Sequence, residues 1–457
     1  MSQSLRHALE RYEAAGELWH AAAEVDPRFE LAGILWRLKR GPAVLFTKLR
    51  GSGGRAVGNV LNTRGKFAAA LNLPLSEVQA RVVHAVEHPI EPRSVQEAPC
   101  QEVVVDHDID LLKMFPIPTL SEFDAGPYIS AGVCIAKHPD TGVRNVSINR
   151  LHIQEPAVMG TNIAPTHLHT IRKRCFELGR PLELAFVVGN HPAVLVASQC
   201  LLELGYDELR VAGGIFGEPL EVVKCRTVDL EVPAHAEIVI EAVMHPDDLA
   251  EEAPFGEFPG TYGGRKQNPR LHVKCVTHRE HPILQVVSAG KHPEHLLIGG
   301  IAREATLFRD VRKTVPGTQR VFMSEGGSCR FHAVIAIKKR TEGEGKSAAF
   351  AAFASQDLLK RAIVVDEDID IEDPYEVEWA IATRSDFERD IFVIPGAKSN
   401  NADPMAVNNT VAKMGIDATK ALDAPLQRYL LPNVPAQVAQ RVVQRWSEYF
   451  PDQPSPA

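Results

Sequence analysis

Three carboxylates, Glu251, Glu252 and Glu257, fall within EEAPFGE, a stretch whose proline and glycine rule out a regular helix. A Pro-Phe-Gly turn can aim two carboxylates five positions apart at one cavity while Phe255 removes water. Desolvation raises a carboxyl pKa and a nearby cation lowers it, so Glu252 and Glu257 can hold different protonation states and divide acid and base work. The plain alternative is a set of surface charges on a turn.

Other segments carry chemistry of a different kind. In NVSINRLHI (145–153), strand alternation puts Asn145, Ser147 and Asn149 on one face and Arg150 on the other. Polar residues on one face of a central strand are costly unless paired, so this face suits a phosphate, a metal or a flavin edge, or else it simply meets solvent. IAPTHLHTIRK (163–173) places Thr166 and His167 at a helix start, where anions are favoured. GYDELRVAGG (205–214) offers Asp207 and Glu208. An Asn, a His and a Glu are hard or borderline ligands that suit Mn²⁺ or Mg²⁺ better than a thiolate-seeking metal. HPEHLLIGGIAREA and GGSCRFHAV add His295, Arg303, Arg330 and His332 in apolar surroundings. Guanidinium groups there read as an anion site, or as ion-pair partners of Glu304 and Glu325.

The elements that must hold these groups can be read from the rest of the 457 residues. Hydrophobic content of 45% and charged content of 24% describe a soluble globular chain of one to three domains. The net charge of -8 is spread along the sequence and gives no basic face for nucleic acid and no membrane patch. The seven cysteines are scattered and form no CxxC, which speaks for a reducing compartment. The N-terminus has an amphipathic pattern rather than that of a signal peptide, no apolar run is long enough to span a bilayer, and a cytoplasmic location is expected.

Periodicity predicts helices over 4–24, 29–40, 64–73 and 76–88, the last capped by Ser76, with a buried strand within 41–49. A polar stretch, 91–104, reads as a linker. From about 103 to 300 short β-rich runs recur, among them AVLVAS (193–198), with one helix at 166–179; this predicts a closed or split barrel. Beyond about 320, strand–helix–strand order returns and predicts a parallel sheet, followed by an amphipathic helix at 434–450. The expected fold class is therefore α+β and α/β multidomain.

Taken in order, NVSINR, PTHL, DELxxAGG, GEPLEVVKC and ExPFGExxG resemble the UbiD family of reversible decarboxylases, which use prenylated FMN. The likeness extends to IVVDEDIDI and KMGIDAT and covers nearly the whole chain. It implies an N-terminal α/β domain (1–102), a split β-barrel like that of flavin reductases (103–310) and a C-terminal α/β oligomerisation domain with a terminal helix (311–457). It also implies a catalytic set of Arg150, Glu252 and Glu257, with Glu257 as the acid, and Mn²⁺ ligands Asn145, His167 and Glu208. Ser147, Ile148, Asn149, Thr166 and Lys413 would join these around the cofactor, and Ala197, Ser198 and Cys200 would offer backbone oxygens to K⁺. His295, Arg303 and Arg330, with Phe258 and Ile298, resemble the second-carboxylate pocket of furan-2,5-dicarboxylate decarboxylases. Pyrrole-2-carboxylate and benzoic or phenolic acids are the rival substrates. The implied partners are a flavin prenyltransferase that supplies the cofactor and further copies of the chain, as a dimer or hexamer. From other classes, a metal-dependent hydrolase and a non-catalytic flavin-binding subunit of a carboxylase stay open.

Overall fold

The computed structural model describes residues 2–252 and 254–452, so Ala253 of the carboxylate turn lies outside the described residues. The middle of the chain forms a closed antiparallel barrel of six strands. Strand Ile238–Glu252 closes it by pairing with Leu182–Val188 on one side and Lys266–His278 on the other. Around the ring follow Tyr128–Lys137, Arg144–Glu155 and Val158–Gly160. Alternation decides what fills it: Leu151, Ile153, Leu184, Phe186, Ile238 and Ile240 share one apolar core.

A four-stranded sheet lies before the barrel, in the order Leu18–Ala21, Ala43–Phe46, Arg55–Gly58 and Ile283–Val286. Its last strand comes from beyond the barrel and runs parallel to Arg55–Gly58. After the barrel, helix Pro293–Thr314 leads into a five-stranded sheet whose inner strands, His332–Ile337, Arg361–Asp366 and Thr410–Ala418, are parallel. The expected boundary at 310 falls inside that helix. No helix among the described residues is long and apolar enough to cross a membrane.

Several local expectations change. The pattern over 4–24 is a helix, Leu5–Ala14, followed by strand Leu18–Ala21. Ser76 does not cap the next helix; it sits in a 3-10 turn before Val78–Glu87. The linker at 91–104 contains a strand, Arg93–Val95, paired with Glu221–Lys224. AVLVAS is helical (Pro192–Ala197): Pro192 opens it and His191 Nδ1 accepts the Ala193 N–H at 3.1 Å. The glycine pair at 213–214 belongs to helix Glu208–Phe216, where a Cβ on Gly214 would stand 2.8 Å from Ala85 Cα. Those glycines permit close helix packing.

Candidate active site

Arg150 projects from strand Arg144–Glu155, Glu252 ends strand Ile238–Glu252, and Glu257 lies in the turn that follows. The guanidinium gathers both carboxylates. Nε donates to Glu252 Oε1 at 2.8 Å and Nη2 to Glu252 Oε2 at 3.1 Å, while Nη1 donates to Glu257 Oε1. Burial opposes the Arg150 charge, but Glu257 and Glu252 outweigh it and raise its pKa. Two carboxylates share one cation, and they are held unequally. Glu252 is bound through both oxygens and its side chain is 1% exposed; Glu257 is bound through one and is 25% exposed. This corrects the expectation that Phe255 dries Glu257. The Phe255 ring instead covers Arg150, 5.2 Å from its centroid, and Glu252 is the drier carboxylate.

Main-chain bonds shape the turn: Glu257 N–H to Thr261 O at 2.7 Å and Gly263 N–H to Phe255 O at 3.1 Å. A loop the sequence reading missed straps it from outside. Ala125 N–H donates to Pro254 O at 3.0 Å, Phe123 packs edge-on against Tyr262, and burial lifts the Asp124 carboxyl to about 6. Gly263 leaves the carboxylate its place, since a Cβ there would lie 3.1 Å from Glu257 Oε1. Gly263→Val is therefore expected to lower kcat by about 10- to 100-fold through misplacement alone, with the melting temperature little changed. Wild-type kcat in that variant would show that the seat of Glu257 does not matter.

On the same strand, Asn145 Nδ2 donates to Glu208 Oε1 at 3.2 Å and Val146 N–H to Glu208 Oε2 at 2.7 Å. Glu208 is buried at the first turn of its helix, and burial pushes its pKa up to about 8. A buried carboxylate whose contacts here are neutral donors fits a divalent cation. His167 opens helix His167–Glu177, which packs on the same strand, with Thr166 at its N-cap. Burial lowers the His167 pKa and favours the neutral, ligating imidazole. Asn145 and Glu208 are thus in contact, with His167 on a neighbouring helix. Ser147 bonds Asn149 Oδ1 at 3.0 Å, and Ile148 packs on the core.

Further basic residues lie near both groups. His295 is driven down to about 3 by burial, then by Arg330, with Arg150 among its further neighbours. The Cys200 thiol, raised to about 12 by burial, lies in the fields of both Glu208 and Arg303. Arg330 donates to Leu296 O at 3.1 Å, sits over Phe258 at 5.2 Å, and is lowered to about 10 by burial. Gly299 makes room for it: a Cβ there would come within 2.0 Å of Arg330 Nη2. Ile298 precedes that glycine in the apolar cluster. Burial first, and Arg330 second, depress Arg303, whose Nη1 is buried without a hydrogen-bond partner. Glu304, an alternative partner read from the sequence, instead holds Arg64 at 2.6 Å, and Glu325 holds Arg40 at 2.8 Å. Lys413 donates to Gln356 O and Asp357 O at 3.3 and 2.9 Å, and Gln356 in turn binds Arg303 O. Ala197, Ser198 and Cys200 form a helix end where Cys200 N–H takes the Ala197 carbonyl at 3.1 Å.

Two surface clefts of about 880 and 800 Å³ lie elsewhere. The second is lined by the pairs Arg64–Glu304, Arg312–Glu87 and Arg320–Glu372. Converging charge rather than cleft volume marks the site.

The same residues recur in a known setting. Residues 9–86, 93–292 and 296–418 match the N-terminal, Rift-related and C-terminal domains described as 3-octaprenyl-4-hydroxybenzoate carboxy-lyase. The chain belongs to the UbiD family. Among UbiD relatives, anhydromevalonate phosphate decarboxylase from Methanothermobacter thermautotrophicus is 37% identical over 402 residues, covering 87% of this chain and 93% of that one. The UbiD-class enzyme HmfF from Pelotomaculum thermopropionicum, solved with FMN, is 45% identical with a TM-score of 0.91, covering 95% of this chain and 98% of that one. An evolved dimeric form of HmfF, solved with prFMN, is 43% identical with a TM-score of 0.88, covering 96% and 100%. The chain is accordingly a decarboxylase of UbiD type.

Proposed function

We propose that this UbiD decarboxylase uses prenylated FMN to remove CO₂ reversibly from a heteroaromatic dicarboxylic acid, with furan-2,5-dicarboxylate going to furan-2-carboxylate. The observation that carries the substrate choice is Arg303, whose Nη1 is buried without a hydrogen-bond partner and which lies in the field of Arg330, only partly offset by Asp357. A carboxylate on the far side of a ring answers that charge through paired hydrogen bonds. A monoacid leaves it bare.

When bound, the prenylated flavin supplies the electron sink that a ring carbanion needs and side chains lack. Asn145, His167 and Glu208 would hold Mn²⁺ against its phosphate. Lys413 is assigned to the cofactor side of the pocket and the carbonyls of Ala197, Ser198 and Cys200 to K⁺. Arg150 orients the departing carboxylate and holds Glu252 through Nε and Nη2. Glu257, held by one oxygen and partly open, takes the proton and delivers it to the ring carbon. Phe258, which packs against Phe331 with ring planes tilted and centroids 5.5 Å apart, walls the ring.

The name of the archaeal relatives favours a second reading, an acid carrying a phosphate at its other end, since the same cations suit phosphate. One experiment separates the readings. Protein co-expressed with a flavin prenyltransferase is assayed for CO₂ release from furan-2,5-dicarboxylate, furan-2-carboxylate, pyrrole-2-carboxylate and anhydromevalonate phosphate. Preference for the furan diacid, with a flavin spectrum that depends on the prenyltransferase, is expected. Turnover of a monoacid or the phosphate in its place would overturn the substrate, and turnover by flavin-free protein the cofactor.

Assembly of several copies through the C-terminal region is part of this reading. Helix Ala436–Gln444 buries none of its residues, and Val438, Val442 and Val443 stand exposed along it.

A further inference from the structure

The residues immediately before Asn145 and Glu208 are Arg144 and Asp207, and these two are bonded to each other. Arg144 Nε donates to Asp207 Oδ2 at 2.8 Å and Nη2 stands 2.7 Å from the same oxygen, with side chains only 12% and 10% exposed. The other Asp207 oxygen, Oδ1, accepts the Leu209 N–H at 2.9 Å and caps helix Glu208–Phe216. Arg144 Nη1 extends to Glu231 Oε2 at 2.6 Å, and Ser94 Oγ donates to Glu231 Oε1 at 2.7 Å.

One guanidinium therefore ties a barrel strand to a helix start at the residue that precedes each ligand. Arg144 leaves the strand on the face opposite Asn145, so the pair restrains the two backbones from behind. A side chain that ligates a metal binds well only if its own backbone is fixed by groups outside the coordination sphere.

We propose that the Arg144–Asp207 pair is a positioning clasp for the divalent cation, setting the distance between Asn145 and Glu208; this rests on the metal reading above. The capping bond holds the helix start in register and the ion pair holds that start against the strand. Glu231 is an outer anchor, whose loss leaves the clasp closed.

The test is Mn²⁺ titration of the full-length, FMN-loaded protein followed by electron paramagnetic resonance, with melting temperature and retained FMN measured on the same samples. Wild type is expected to bind Mn²⁺ at a site that Glu208→Gln removes. Asp207→Asn keeps a capping oxygen but loses the charge pair, and should weaken Mn²⁺ by roughly 10- to 100-fold, the usual loss for a residue behind a ligand. Arg144→Ala should match it, and Glu231→Gln should bind as wild type does. Asp207→Asn with wild-type affinity overturns the clasp even if its melting temperature falls, and it decides the matter if Arg144→Ala does not fold. A wild type without Mn²⁺ binding removes the metal reading itself and the clasp with it. Normal affinity in the variants removes only the clasp.

Discussion

Glu257→Gln is expected to fold, retain its flavin and lose turnover by more than about a hundredfold, the scale of a missing acid or base. The amide keeps nearly the size of the carboxyl and can still accept from Arg150 Nη1 through its oxygen. It cannot carry and release the proton. Glu252→Gln differs: that side chain is buried and gives both oxygens to Arg150, so the change disturbs the guanidinium and costs stability as well as rate. Single-turnover CO₂ release, with flavin absorbance as a loading control, separates the two variants. Near-normal release by holo Glu257→Gln would remove Glu257 as the acid and leave the proton to another group.

The second large effect is one of selectivity, and its sign on stability is unusual. Arg303→Ala should weaken binding of a ring diacid by about 2–5 kcal/mol, as for a desolvated charge pair that loses one partner. Binding of the matching monoacid should barely change. In the free protein Arg303 faces Arg330 and holds a buried nitrogen without a partner, so its removal also relieves a cost. The melting temperature of the unliganded variant should therefore hold or rise while diacid affinity falls. Equal losses for diacid and monoacid would dismiss the second-carboxylate pocket.

Parts of this were legible in the sequence because the relevant physics is local. Alternation in NVSINRLHI separated Arg150 from Asn145, and the stiff turn singled out Glu252 and Glu257. The same local signals misread AVLVAS: β-branched residues favour strands, yet Pro192 and the His191 cap start a helix there. Nothing nearby in sequence announces that Ala85 packs against Gly214. Spacing could not reveal that a single guanidinium binds both carboxylates, since that depends on two strands meeting across the barrel. Nor could it single out Gly263, whose only distinction is the space it leaves beside Glu257. A glycine pair following an acidic turn is the one clue in the sequence that could have drawn notice.

The strand at Ile283–Val286 has a bearing on biosynthesis. It completes a sheet begun by residues emerging far earlier from the ribosome, so Arg55–Gly58 keeps an open parallel edge until the entire barrel has been made. Such late closure slows folding and exposes a sticky border during translation. A nascent chain halted before that point, or a fragment cut at 102, is expected to aggregate or recruit chaperones rather than stand alone.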